Sequence, residues 1–323
     1  MCIRDSNLHT WGFQIYRQQG RRIEEYAFQN FPGFDGVRWV STFGELRNLN
    51  GIKPKLRREI TPYVLAGIEK TSTPVASGVN ENIEERLNIG LGFNVGLSSS
   101  WILSGSINPD FGQIEADPAI LNLSDREFFF EERRPLFSDN ASFLRLQLNQ
   151  QIVGGSINGQ QLFYSRRIGA PPHLSGRSVG SIFSEDLQTT VLGAVRLNGR
   201  FGKNRITLFS ALTDQEDTIA FNEAEQSIEE FAIEPRTTFN ATQISRDFNE
   251  GRTSFKAMGT YVHRLLDDTN INSLHTNAFS LGSVLSHRFN KSNWVSSARV
   301  ASSRVSGSSE SLTITQNASQ RYI

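Results

Sequence analysis

Carboxylates and guanidinium groups are the side chains of this sequence whose spacing could support chemistry. Asp110, Glu115 and Asp117 fall close together. A hard cation such as Ca²⁺ gathers roughly six to eight oxygen ligands, so this acidic cluster is the one candidate for a metal. Its spacing does not follow an EF-hand loop. Pro109 and Pro118 flank it, which favours a turn whose Asp and Asn side chains bond the backbone. Glu127, Glu131 and Glu132 precede Arg133 and Arg134. Paired carboxylates hydrolyse glycosides only at a defined separation, and ion pairs with the neighbouring arginines are the simpler expectation. Arg166 and Arg167 follow Phe163-Tyr164 and could grip phosphate or carboxylate through a bidentate fork. Pairing with acidic neighbours in a polar interior is the preferred reading. The histidines at 9, 173, 263, 275 and 287 lack HExxH or other metal spacing. No Gly-rich phosphate loop or nucleophile elbow occurs. No catalytic residue and no cofactor beyond a weak calcium candidate is expected.

The elements that must carry these groups are strands. From Leu87 to Leu97, apolar Leu87, Ile89, Leu91, Phe93, Val95 and Leu97 alternate with Arg86, Asn88, Gly90, Gly92, Asn94 and Gly96. Side chains alternate faces along a strand, so one face is apolar and the other small and polar. The run has the length of about 9–11 residues that crosses a bilayer at a tilt. Arg57 to Lys70 and Trp101 to Ile107 read alike. Three hairpins are expected: Thr189 to Leu197 with Ile206 to Leu212, Thr237 to Phe248 with Ser254 to His263, and Asn277 to Phe289 with Trp294 to Val305. The acidic stretch Thr213 to Pro235 reads as a long loop. Ser124-Asp125-Arg126-Glu127 forms a capping box that predicts a short helix ended by Pro135. Trp101, Phe209, Tyr261, Phe289 and Trp294 sit near strand ends, as in an interfacial girdle.

Composition agrees. Of 323 residues, 37% are hydrophobic, below the usual share of about 45–50% in a soluble globular domain even allowing for the glycines counted in that share. A large barrel with a polar interior needs only one apolar face per strand. Lys plus Arg and Asp plus Glu are both 33, which gives no electrostatic reason for a nucleic-acid partner. The single cysteine, Cys2, permits no intrachain disulfide. No stretch reaches the roughly 18 apolar residues of a spanning helix. The sequence predicts an all-β fold, an antiparallel up-and-down transmembrane β-barrel that is partial in this chain. The opening Met1 to Ser6 and the closing Arg321-Tyr322-Ile323 read as the edges of a fragment, the latter within a strand.

Several longer motifs carry a family resemblance. They are Trp11 to Arg17, Gly51-Ile52-Lys53-Pro54, Arg57 to Val64, Ile107-Asn108-Pro109-Asp110-Phe111-Gly112-Gln113-Ile114-Glu115-Ala116-Asp117-Pro118, Phe128-Phe129 with Arg133-Arg134-Pro135, Phe163-Tyr164-Ser165-Arg166-Arg167-Ile168-Gly169 and Arg246-Asp247-Phe248-Asn249. Together they resemble the domain of unknown function 5916 family of outer-membrane proteins from Gram-negative bacteria. The resemblance covers nearly all of the chain after its first ten residues. Glu131 and Ser138-Asp139-Asn140 depart from the family pattern.

The resemblance implies a module like carbohydrate-binding module family 9 followed by a β-barrel. Residues 1–22 would end that module, 23–56 would be a linker, and 57–323 a partial outer-membrane barrel. Apart from the resemblance, Pro109, Pro118 and the capping box at Ser124 make residues 108–135 read as an irregular insertion packed inside or across the mouth of the barrel, with Asp110, Glu115, Asp117, Arg133, Arg134, Arg166 and Arg167 as lumen or plug residues. The expected function is transport, secretion or surface assembly in the cell outer membrane. Outer-membrane lipid is the expected partner, with polysaccharide reached through the preceding module. The alternative is a surface protein that binds or hydrolyses carbohydrate.

Overall fold

The computed structural model describes residues 8–21, 24–29, 43–50, 56–75, 78–109, 130, 132–138, 144–146, 148, 161–174, 181–184, 188–222, 227–266, 271–289 and 294–317. The chain divides into two compact units, residues 1–56 and 57–323.

In the first unit, β1 (Leu8–Phe13) pairs antiparallel with β4 (Gly44–Asn50), and β2 (Tyr16–Gln19) with β3 (Glu24–Ala27). Gln14 and Gln29 exchange two hydrogen bonds, at 2.8 and 2.9 Å, and the Phe13 and Phe28 rings meet edge to face. The expected linker over 23–56 therefore contains two paired strands. Its scattered short runs were too brief to show a period.

The second unit is built on β5 (Arg58–Val75), β6 (Gly78–Gly96), β7 (Trp101–Ile107), β9 (Val191–Phe201), β10 (Asn204–Thr213), β13 (Thr237–Phe248), β14 (Thr253–Arg264), β15 (His275–Phe289) and β16 (Trp294–Gly307). These nine form one sheet whose spatial order is their sequence order. Every neighbouring pair is antiparallel. Strand direction alternates, so the short connections at 97–100, 202–203, 249–252 and 290–293 share one end of the sheet. The connections spanning 108–190, 214–236 and 265–274 share the other, together with the close β5–β6 hairpin connection. Gly202, at φ +60°, supplies the left-handed residue that the two-residue turn between β9 and β10 requires. Asn198 to Phe201, expected as turn, continues β9 instead.

Two departures lie at the end with the long connections. The stretch expected as a polar loop contains β11 (Glu216–Asn222) and β12 (Ser227–Glu234), a hairpin joined by β8 (Ser181–Ser184) in a separate sheet. Its glutamates masked the strand pattern. Pro135 opens a single helical turn, α1 (Pro135–Ser138), rather than closing one. Proline suits that position because the first helical N–H has no partner to lose. The capping box at Ser124 lies outside the described residues. After β16 the chain turns into α2 (Ser309–Asn317). The strand expected at Arg321-Tyr322-Ile323 lies outside the described residues.

The sheet has two unlike faces. Register places Leu91, Ile107 and Gly193 together on one face, with Val95, Leu103, Leu197 and Leu208. On the opposite face Asn94, Ser104, Arg196 and Phe209 align across four strands. The alternation expected for Leu87 to Val95 against Arg86, Asn88 and Asn94 is thus present in β6. The first face is bare: Ile60, Val64, Leu87 and Ile89 are each more than 60% exposed. The second is covered by the chain between β7 and β9.

Candidate functional site

The covering segment leaves the sheet at Asn108, which adopts the left-handed conformation at φ 48° that asparagine tolerates. Its backbone N–H donates to Leu192 O at 2.8 Å, and its side chain donates to Asn88 Oδ1 and to Ile89 O. Tyr63 donates its hydroxyl proton to Asn108 O from across the same face. The start of the long acidic motif is therefore tied back onto β5 and β6. Asp110, Glu115 and Asp117 lie outside the described residues. Among the described residues no group of three His, Cys, Asp or Glu side chains could hold a metal.

Downstream, apolar side chains hold the segment on the sheet. Phe137, Leu144, Leu146 and Ile168 are buried with Val191, Ala194, Phe209, Ala211, Ala241 and Met258 of β9, β10, β13 and β14. Phe209 meets Phe137 at 5.8 Å and Phe163 at 5.3 Å between ring centres. Phe209, expected in an interfacial girdle, is thus a core residue of the covered face. Gly282 of β15 leaves the room that Leu146, Leu148 and Leu162 fill; an added Cβ would come within 3.0 Å of Leu146. Arg196 is 3% exposed and donates to Leu136 O at 2.7 Å.

At the centre of the segment is a buried ion pair. Arg134 Nη2 stands 2.7 Å from Glu132 Oε2, and Nε 2.8 Å from Oε1. The fork is bidentate, the geometry in which guanidinium and carboxylate bind best. Arg134 also donates to Ser165 O at 2.7 Å and Ile168 O at 2.5 Å, and its guanidinium lies 4.1 Å over the Phe137 ring. Ser165 Oγ donates to Glu132 Oε2 at 2.6 Å. Tyr164 accepts the Phe130 backbone N–H at 2.9 Å. Burial alone would raise the Glu132 pKa. The Arg134 charge and hydrogen bonds, with the Ser165 hydroxyl, outweigh burial and hold the carboxyl below its ordinary value.

Two sequence motifs thus become one structure. Arg134 plugs into the carbonyls of the Phe163 to Gly169 motif, closed by Gly169 at φ +76°. A Cβ on Gly169 would meet Val191 at 3.0 Å, so glycine is needed for space as well as backbone. The expected ion pairing of Glu132 is present, and Glu132 is no candidate acid or nucleophile: it is ionised and engaged on both oxygens. Arg133 and Arg167 are exposed; Arg166 is half-buried, 5.9 Å over the Phe130 ring.

The segment is fastened again where it rejoins the sheet. His173 donates its backbone N–H to Glu234 Oε2 at 2.8 Å, and its ring Nδ1 stands 2.6 Å from the same oxygen. Glu216, the register partner of Glu234, accepts the Thr190 N–H at 2.6 Å. Leu174 N–H bonds Ile233 O, and Thr189 bonds Ala170 O through both its N–H and hydroxyl. The Glu216 and Glu234 anchors were not visible in sequence, because strands hidden in an acidic stretch present them.

The family model described as "Domain of unknown function (DUF5916)" matches residues 54–321. No curated protein and no solved structure matches the chain.

Proposed function

The chain belongs to the DUF5916 family, and from that membership and this geometry we propose that residues 57–323 are part of an up-and-down β-barrel of the bacterial outer membrane. The barrel works in transport, secretion or surface assembly, and the segment between β7 and β9 occupies its lumen as a plug. The observation that carries this reading is the bare face. Each of the nine strands presents an exposed large apolar residue there, beginning with Ile60, Leu87, Ile107 and Val195 on the first four. Leu208, Ile244, Tyr261, Leu281 and Val300 continue it to the far edge. Soluble monomers rarely expose contiguous apolar patches above a few hundred Å². Lipid satisfies such a face without further protein.

The opposite face suits a lumen: it carries Glu59, Arg196, Lys256 and Arg299 and is partly filled by chain. Short turns at one rim and long connections at the other are the habit of such barrels. Polysaccharide contact belongs in this reading to a preceding glycan-binding module. Membrane fractionation of cells making the full-length protein tests it. Recovery with the outer membrane after carbonate washing is expected, and recovery in the soluble periplasm contradicts it.

A further inference from the structure

The bare face also carries marks of depth. At the end with the short turns, Trp101 begins β7, Phe201 ends β9, Phe248 ends β13, and Phe289 pairs with Trp294 across β15 and β16. Register puts all five on the bare face. Towards the other end Tyr261 pairs with Phe279 on the same face. Inside these levels the bare face bears no Asp, Glu or Lys among the described residues of β7 to β16. Its arginines inside them are Arg58 of β5 and Arg246 of β13, each one bare-face position in from the short-turn rings. Its charged residues stand at the margins. Arg58 opens β5, Arg246 lies 4.7 Å over the Phe248 ring, and Arg304 pairs with Phe279. Glu85 belongs to the part of β6 that runs past its last partner on β7.

We propose, resting on the barrel reading above, that these two levels are the two interfaces of the bilayer and that the band between them is the full lipid contact of this sheet. Phe279 and Phe289 are ten residues apart on one strand. At about 3.3 Å per residue that is about 33 Å along the strand. A strand tilt of about 35–45° reduces it to about 25 Å, the height of the apolar band of such barrels. Aromatic rings with arginines beside them, whose long side chains can reach the headgroups, complement a boundary between hydrocarbon and headgroups. The short-turn rim then lies at the inner, periplasmic interface. The β11–β12 hairpin, α2 and the distal half of the β5–β6 hairpin stand in water on the cell exterior, and the covering segment folds into the lumen from that side.

Nitroxide labels on single cysteines read depth directly, because oxygen concentrates in hydrocarbon and a nickel chelate stays in water. The full-length protein, with Cys2→Ser, is reconstituted in phosphatidylcholine–phosphatidylglycerol vesicles. Ser283 is midway between the belts, Ser296 close to the Trp294 level, Ser303 on the covered face, and Glu310 on α2. The oxygen-to-chelate ratio is expected to peak at Ser283→Cys, several-fold above Ser296→Cys, with Ser303→Cys and Glu310→Cys aqueous. A ratio at Ser296→Cys equal to or above that at Ser283→Cys, with Ser303→Cys still aqueous, overturns the assigned depth and leaves the barrel standing. Equal ratios at Ser283→Cys and Ser303→Cys overturn the barrel reading itself.

Discussion

Arg134 shows how much one side chain can fix. Its guanidinium closes a ring of contacts between residues 132 and 168, and both it and Glu132 are about nine-tenths buried at the side chain. Removing one partner of a buried pair leaves an uncompensated charge, which typically costs about 3–5 kcal/mol. Arg134→Ala is therefore expected to lower the opening free energy of backbone 132–138 by about that amount, read by native-state hydrogen exchange. The double variant Glu132→Gln, Arg134→Met removes both charges and is expected to lose much less. The same measurement carries a pH signature. The Glu132 pKa is lower folded than unfolded, so its contribution is complete above the unfolded carboxylate value of about 4.3. It disappears as pH falls through the lower folded value. Protection of 132–138 is expected to fall in that acid window, and the fall to be absent in Glu132→Gln. In sequence, Glu132 and Arg134 were recognisable as charges to be paired. Their receptor was not, because backbone carbonyls more than thirty residues away leave no mark in side-chain pattern.

At the scale of elements, the strand period was the most legible feature. β7 and β13 begin and end where the alternation does, and the two other expected hairpins differ only at their ends. Period two is enforced wherever one face must be apolar and the other not, so it survives in the sequence. It fails where acidic residues interrupt both faces of a strand, as in β11 and β12, or where a strand's ring has a local task. Phe209 looked like a belt residue but takes its place in the covered alternation beside Thr207 and Ala211. In the proposed belt Phe201 and Phe248 stand in its stead. Leu208, adjacent to Phe209, points the other way and lies near the middle of β10. In a lipid-facing position Leu208→Arg is expected to cost about 2–4 kcal/mol, against little for Ser303→Arg on the open, covered-side edge strand. Urea titration of the protein refolded in vesicles checks this. Comparable losses at both positions mean that the two faces do not differ in solvent.

At the scale of the molecule, one sheet of nine strands in sequence order carries a segment from its own chain on one face, and its other face is bare among the described residues. The hydrogen bonds of Asn108, Arg134, His173 and Thr190 fasten that segment at both ends and in its middle. Such fastening is out of proportion for a surface loop, and fits a plug that must stay in place while the wall around it is solvated by lipid. The composition suits the proposed barrel, since a polar interior needs few apolar residues. It left open where the filling would come from. Removing residues 109–135 from the full-length protein takes away the Asn108 tether's continuation and the Glu132–Arg134 pair together. Single-channel conductance in a planar bilayer, compared between the deletion and the intact protein, is the most direct measurement. Conductance is expected to be larger and steadier in the deletion. A folded deletion variant that conducts no more than the intact protein contradicts a lumen plug.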